Sequence, residues 1–366
     1  MSLIVRPGIL DIAAYVPGAH HLPGEGPIYK MSSNESAVGP SPAAMAAYAK
    51  VAAEIHRYPD GGANELRAAI AAGIGADPAQ IVCGAGSDDI LQLLTRAYAG
   101  PGDEVLYSAH GFLVYPIAAK SVGATPVAAP EKDLTTDVDA LLAHVTPRTR
   151  ICFVANPNNP TGSYIPFSEL VRLREGLPPD VLLVIDAAYA EYVGKADYAE
   201  GNDLVRRHDN VVVSRTFSKI YGLAALRLGW AFCPPAVADV LNRIRGPFNT
   251  PAPAQIAGVA AWRDAEHLAA AKAYNDKWLP WLADRVREIG LIAYPSVCNF
   301  LLVGFPSEPR LSAEAAEAFL RTRRVLARKM GAYGLPHCLR ITIAEEPALR
   351  VCAEALSDFV KQAATQ

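Results

Sequence analysis

The chain has 366 residues, enough for two domains at the usual ~150 residues each and for a large buried core. With 51% of its residues apolar and 19% charged it is neither disordered nor fibrous. The 34 Lys plus Arg against 37 Asp plus Glu leave a net charge of −3, which gives no electrostatic footprint for nucleic acid or an anionic membrane surface, so small molecules are the expected partners.

The first 40 residues are rich in Pro and Gly and too irregular to fold alone, so they are expected to wrap onto a second domain or onto a partner chain. The opening MSLIVRPGIL lacks a basic segment followed by a long apolar one. No uncharged apolar run approaches the ~20 residues of a membrane helix, and a cytoplasmic location is expected. His20 and His21 are adjacent, face opposite ways on an extended segment and have no evident third ligand, so no metal is expected.

Between about residue 60 and residue 235, helical stretches alternate with short apolar runs, the signature of βαβ units. The runs are Ile81 to Cys83, Glu104 to Tyr107, Thr125 to Ala128, Arg150 to Ala155, Val181 to Ile185, Val211 to Ser214 and Leu228 to Cys233. Most lack period-two alternation and so belong to strands buried on both faces. A mostly parallel sheet of about seven strands is predicted. From Ala252 to about Gly290 the pattern is helical and charged, and one or two long helices leave the sheet. A strand (Phe300 to Val303), a helix (Ala313 to Leu326), a strand (Leu339 to Ile343) and a helix (Pro347 to Gln362) then predict a smaller α+β domain. The expected division is 36–255 for the large α/β domain, with 1–35 and 256–366 forming the small one. Cys83, Cys152, Cys233, Cys298, Cys338 and Cys352 form no C-x-x-C pair and read as reduced core thiols.

Four segments carry chemistry. Gly84-Ala85-Gly86-Ser87-Asp88-Asp89 leaves a short strand and opens a helix, where backbone N–H groups bind phosphate without a charged side chain. A tight strand-to-helix turn explains it equally well, and as a dinucleotide fingerprint it fails, because Asp89 stands where the last glycine is needed. Asn156-Pro157-Asn158-Asn159-Pro160-Thr161-Gly162 specifies a rigid loop at a strand's carboxyl end, where open α/β sheets bind ligands. Asn159 is there as a donor to a phenolic oxygen, or the loop is purely structural. Asp186 ends an apolar strand, where an unpaired carboxylate is costly, so a cationic partner or a protonated ring nitrogen is expected close by; a helix cap is the simpler alternative. Tyr189 can turn back to the same place. Lys219 is the only lysine in the mostly apolar stretch 211–230, which suits an amine whose pKa is lowered by desolvation, and Thr216, Ser218 and Arg227 around it can enclose a phosphate. A snorkelling surface lysine accounts for Lys219 but not for these companions.

In this order GAGSDD, NPNNPTG, Asp186 to Tyr189, TFSK and Arg227 resemble the fold-type I aminotransferases over essentially the whole chain. YVPG at Tyr15 to Gly18, RYPDGG at Arg57 to Gly62 and AYGLPHCLRITIA at Ala332 to Ala344 resemble the histidinol-phosphate branch of that family, which serves histidine biosynthesis. The resemblance implies pyridoxal 5'-phosphate held as a Schiff base on Lys219, which then acts as general acid and base. It implies Asp186 on the pyridine nitrogen, Asn159 and Tyr189 on the phenolic oxygen, and Phe112 stacked on the ring. Gly86, Ser87, Thr216, Ser218 and Arg227 would bind the cofactor phosphate, joined across a homodimer interface by Tyr58. Arg340, helped by Tyr15 and Arg328, would grip the anionic group of the substrate, with Arg323 or Arg324 as alternatives to Arg328. The amino acceptor would be 2-oxoglutarate. One departure is that the family's usual Asp-Glu-Ala-Tyr is here Asp186-Ala187-Ala188-Tyr189, which removes a carboxylate. An aromatic amino acid aminotransferase or a related pyridoxal-phosphate decarboxylase would use the same machinery. A cofactor-binding regulator would need a nucleic-acid-binding module, and no residues are left over for one.

Overall fold

The computed structural model describes residues 5–19 and 21–365. Seven strands form the central sheet: β1 (Ile81–Gly84), β2 (Glu104–Ser108), β3 (Thr125–Ala129), β4 (Thr149–Ala155), β5 (Leu182–Asp186), β6 (Val211–Thr216) and β7 (Gly229–Phe232). Their spatial order is β1-β7-β6-β5-β4-β2-β3, with β7 antiparallel to both neighbours and the other pairs parallel. All seven apolar runs of the sequence are therefore strands of one mostly parallel sheet. Every residue of β5 and β6 is buried, as a parallel sheet covered on both faces requires. Successive side chains alternate between two cores: Cys152, Val154, Leu183, Ile185 and Val213 lie in one, and Ile151, Phe153, Leu182, Val184 and Val212 in the other.

After the sheet come two helices, Ala252–Arg263 and Ala265–Glu288, separated at Asp264, whose carboxylate caps the second by accepting from the His267 N–H. Ala254, Ala257, Val259 and Ala261 of the first helix pack into a core of the central sheet, whereas Trp278, Leu282, Ala283 and Val286 of the second enter a separate core. That core belongs to an antiparallel sheet of β8 (Ile292–Ala293), β9 (Phe300–Gly304), β10 (Arg328–Lys329) and β11 (Cys338–Thr342), in the order β8-β9-β11-β10.

The helix expected over 313–326 is shorter, running Ala313–Thr322. Arg324 takes a left-handed φ of 59°, and Val325–Leu326 becomes a strand that pairs in parallel with Tyr29–Lys30. Helical periodicity continues through the segment, but pairing with a partner almost 300 residues away wins over it. The N-terminal arm touches both units. Arg6 and Lys120 tie it to the helix Val114–Ser121, through the Ser121 carbonyl (2.5 Å) and the Asp11 carbonyl (3.0 Å) respectively. Tyr29–Lys30 then joins the smaller unit. Among the described residues no helix is long and apolar enough to cross a membrane, and no group of His, Cys, Asp and Glu is placed to hold a metal; His20 lies outside those residues.

Candidate active site

The carboxyl ends of β4, β5 and β6 converge on one pocket, which the second sheet closes from above. Of the residues singled out in the sequence, Tyr15, Ser87, Phe112, Asn159, Asp186, Tyr189, Thr216, Ser218, Lys219, Arg227, Arg328 and Arg340 all line it. Lys219 follows β6 and donates from Nζ to the Ser33 carbonyl at 3.3 Å. The residue is only part-buried, but its ammonium end is enclosed by protein. Desolvation first, then the positive charge of Arg340, lowers its pKa to about 8. A substantial fraction is therefore a neutral, nucleophilic amine near pH 8.

Asp186 terminates β5 at 5% exposure. Burial pushes its pKa up to about 6, against the hydrogen bond that the Tyr115 hydroxyl donates to Oδ2 at 2.9 Å. Its other oxygen, Oδ1, has no hydrogen-bond partner. Of the two partners expected beside this carboxylate, a cationic side chain or a protonated ring nitrogen, no cationic side chain is hydrogen-bonded to it: the donors are the Tyr115 hydroxyl and the backbone N–H of Ala188, and Lys219 acts on it only weakly. A buried carboxylate with one orphan oxygen, on a residue that lines a pocket, suits a ligand that brings its own N–H.

Arg340, on β11, is 6% exposed; its Nη2 donates to the Ser32 carbonyl at 3.0 Å and its Nη1 to Oδ1 of Asn159. Because Oδ1 of Asn159 is taken by Arg340, the amide of Asn159 is left with its N–H₂ to offer. Both Asn-Pro bonds of this loop, Asn156-Pro157 and Asn159-Pro160, are cis.

A polar corner is formed where β1 passes into the helix Ser87–Tyr98. Gly86, which caps that helix at φ 85°, does not itself line the pocket. A Cβ there would lie 2.6 Å from Nη2 of Arg227, so glycine is what lets the guanidinium close onto the helix start. Gly229 is equally constrained, since a Cβ would meet the Ser87 nitrogen at 2.3 Å. Arg227 Nη1 reaches the Ser218 hydroxyl at 3.4 Å, and the Thr216 hydroxyl accepts from the Ser218 N–H at 3.1 Å. Hydroxyls, a guanidinium and the free N–H groups of a helix start thus share one corner, the donor set for a phosphate.

Two placements separate the arginines left open by the sequence. Arg328 lines the pocket, donates to the Val16 carbonyl at 2.6 Å and lies over the Tyr15 ring. Arg323 instead pairs with Asp358, and Arg324 holds the carbonyls of Pro23, Gly24 and Pro27. Tyr58 is outside the pocket: it is 83% exposed and stacked on Phe248 at 4.7 Å. Sequence reasoning missed Ser33, Asn34, Asp88, Tyr115 and Tyr333. Of these, Asp88 and Tyr333 lie within the quoted motifs GAGSDD and AYGLPHCLRITIA, and Ser33 and Asn34 within the polar run Ser32 to Ser36, while nothing marked Tyr115. Ala187 is fully buried in the apolar core, and the nearest carboxylate after it, Glu191, pairs with buried Arg215 at 2.7 Å.

Fold and pocket together define an α/β enzyme organised around a lysine amine. The chain belongs to the family described as "Aminotransferase class I and II", which matches residues 27–356. It is 60% identical to the histidinol-phosphate aminotransferase of Rhodospirillum centenum, over 98% of this chain and 99% of that one. It is 59% identical to the enzyme of the same name from Paramagnetospirillum magneticum, over 97% and 98% of the two chains. Among solved structures it is similar to histidinol-phosphate aminotransferase from Sinorhizobium meliloti in complex with pyridoxal-5'-phosphate. There the TM-score is 0.86 at 29% identity, over 91% of each chain.

Proposed function

We propose that this aminotransferase takes histidinol phosphate as amino donor and 2-oxoglutarate as acceptor, giving imidazole acetol phosphate and glutamate, with pyridoxal 5'-phosphate as cofactor. The cofactor reading is carried by one observation: an amine lowered to about 8, a carboxylate with an orphan oxygen and a phosphate corner all open on the same pocket. The substrate reading is supported by the near-full-length likeness to histidinol-phosphate aminotransferases.

The residues fit the cofactor. Lys219 would hold it covalently and Asp186 would take its ring N–H on Oδ1. Asn159 and Tyr189 would donate to its phenolic oxygen, and Phe112 would cover the ring. Ser87, Thr216, Ser218 and Arg227 would bind its phosphate, with Gly86 leaving room for the guanidinium. When bound, the group supplies an electron sink for a carbanion next to the substrate nitrogen. The chain's own part is electrostatic and acid–base. Lys219, neutral for part of the time near pH 8, is the group that takes up and returns a proton. Arg340 and Arg328 are the cations placed to orient a phosphate or carboxylate, and Tyr15 lies beside them.

The same reading takes 36–255 as the cofactor-binding unit and 1–35 with 256–366 as the smaller one; the separate cores of the two sheets support two units, but Ala257, Val259, Ala261 and Ala271 pack on the central-sheet side and move the boundary beyond 255. It also takes the protein to be cytoplasmic, in keeping with six buried cysteines that form no disulfide. Finally, it takes the protein to work as a homodimer whose sites share Tyr58. Exposed Met45, Tyr48, Ile55, Tyr58, Phe248 and Ile256 support a covered apolar face. The test is the visible spectrum of the cofactor-loaded protein, titrated with histidinol phosphate, phenylalanine and glutamate. Histidinol phosphate should convert the chromophore at the lowest concentration. Phenylalanine acting with comparable efficiency would make this an aromatic aminotransferase instead.

A further inference from the structure

Asn34 is 1% exposed and lies in the left-handed region at φ 55°, in an irregular segment that no regular element requires. Short polar side chains tolerate that conformation better than other non-glycine residues. Every polar group it carries is engaged. Its backbone N–H donates to Oγ1 of Thr342 at 2.9 Å, and its carbonyl accepts from Nδ2 of Asn299 at 3.1 Å. The Thr342 hydroxyl donates to Oδ1 of Asn34 at 3.2 Å, and Nδ2 of Asn34 donates to the Tyr189 hydroxyl at 2.8 Å.

As the amide is placed, this chain of hydrogen bonds runs one way. Thr342 Oγ1 already accepts the backbone N–H, and Oδ1 of Asn34 is the acceptor in reach for its one proton, which fixes the amide with its N–H₂ toward Tyr189. The phenolic oxygen therefore accepts on its buried side. A phenol has a single proton, and among the described residues no protein acceptor is hydrogen-bonded to that of Tyr189, a residue that lines the pocket.

We propose that Asn34 is a positioning residue that fixes the polarity of the Tyr189 hydroxyl, holding its oxygen as an acceptor from behind so that its proton is donated into the pocket. The assignment rests on the cofactor reading above, because the cofactor supplies the acceptor. It places two donors of set direction on one ligand oxygen: Tyr189, directed by Asn34, and Asn159, whose amide is directed by Arg340. Burial pushes the Tyr189 pKa up, so the proton stays available throughout the neutral range. The charged and titratable groups facing Tyr189 are Arg340, Lys219 at 5.7 Å from the ring centroid, Cys298, Tyr333 and Tyr192. Those acting on Lys219 are Arg340, Asp88, Glu35 and Arg227.

The test is the pH titration of the bound cofactor's visible absorbance in wild type, Asn34→Asp, Asn34→Gly, Tyr189→Phe and the double variant Asn34→Asp/Tyr189→Phe. Aspartate and glycine both accommodate the left-handed backbone. Aspartate puts an acceptor where the donor was and draws the phenolic proton away from the pocket. A donor on the cofactor's anionic oxygen lowers the proton affinity of the nitrogen that shares its charge, so withdrawing it raises the midpoint. Asn34→Asp should raise it by about one pH unit, as Tyr189→Phe does, and Asn34→Gly by less. In the Tyr189→Phe background Asn34→Asp should add nothing, since its route to the cofactor is gone. Unchanged midpoints in both Asn34 variants, with Tyr189→Phe shifted, would overturn the assignment. So would a shift that persists in the double variant, which would mean a direct effect of the new charge. A wild-type chain that retains no chromophore would overturn the cofactor reading, and this assignment with it.

Discussion

At the floor of the pocket Asn34, Tyr189, Asp186 and Arg340 are between 1% and 6% exposed and each is held by a contact from another chain segment, whereas Tyr15 at the rim is 49% exposed and Tyr58, outside the pocket, 83%. The floor joins β5, β11 and the segment around Asn34 through hydrogen bonds with few free partners, so its donors and acceptors are oriented before any ligand arrives. Preorganised groups of that kind contribute to the chemical step because little reorganisation is left to do. The rim is more exposed, and its contributions should belong to affinity and specificity. Substitutions at the two places should therefore differ in kind as well as in size.

The largest effect is expected at Lys219. Lys219→Ala should lower kcat by roughly 10³-fold or more, the scale for losing a nucleophile that also moves a proton, while some non-covalent cofactor binding survives. Single-turnover kinetics with the loaded variant would measure it. Residual activity within tenfold of wild type would show that the floor does not depend on this amine.

Behind the floor, Glu191 and Arg215 form an ion pair with side chains 9% and 7% exposed, which ties the turn after Tyr189 to the strand before Lys219. Glu191→Ala leaves the guanidinium buried and uncompensated, and should destabilise the fold by about 3 to 5 kcal/mol in urea unfolding. A loss under about 1 kcal/mol would mean that water reaches the pair and that the floor is looser than described.

The strands of the central sheet were legible because β4, β5 and β6 are buried almost throughout and so carry the apolar runs Ile151 to Ala155, Leu182 to Ile185 and Val211 to Val213. Asp186 and Lys219 were legible because they end or closely follow such a run with a group that burial penalises, and Asn159 because it sits in the Asn-Pro loop directly after β4. Asn34 and Tyr115 were not, since their significance lies in contacts 155 and 71 residues away; Tyr115 has no local pattern to mark it, and the polar run around Asn34 does not say which of its residues matters. The break at Arg324 was hidden for the same reason: the strand that replaces the last helical turn exists only because Tyr29–Lys30 pairs with it.

At the junction of floor and rim, Arg340→Ala should cost the phosphorylated substrate about 10- to 100-fold in kcat/KM, the range for lost hydrogen bonds to a charged group. Arg328→Ala, nearer the exposed mouth, should cost less and act mainly through KM. Comparing histidinol phosphate with histidinol in each variant separates phosphate recognition from general damage, and equal losses for both substrates would contradict the roles given to these arginines.

The smallest effect is expected at the outermost position. Tyr58→Phe should weaken cofactor retention by a few-fold to about 100-fold, the range for one hydrogen bond to a charged group. If Tyr58 serves the site of a second copy, inactive Lys219→Ala and Tyr58→Ala chains should regain activity on subunit exchange, because one hybrid site holds both wild-type residues. Verified hybrids that stay inactive would confine Tyr58 to its own surface.

The account turns on Lys219 being an amine with a lowered pKa that holds the cofactor, and reductive trapping across a pH series tests that directly. Cofactor-free protein is mixed with pyridoxal phosphate at each pH, reduced with borohydride at short times, and the label located by peptide mapping. With the folded-state pKa of Lys219 lowered to about 8, the neutral amine is a minority below that pH and dominant above it. The label should therefore sit on the peptide containing Lys219, and its initial rate should rise through pH 8 and level off above it. A label on another lysine, or a rate that keeps climbing toward the ordinary lysine range near pH ~10, would contradict the account.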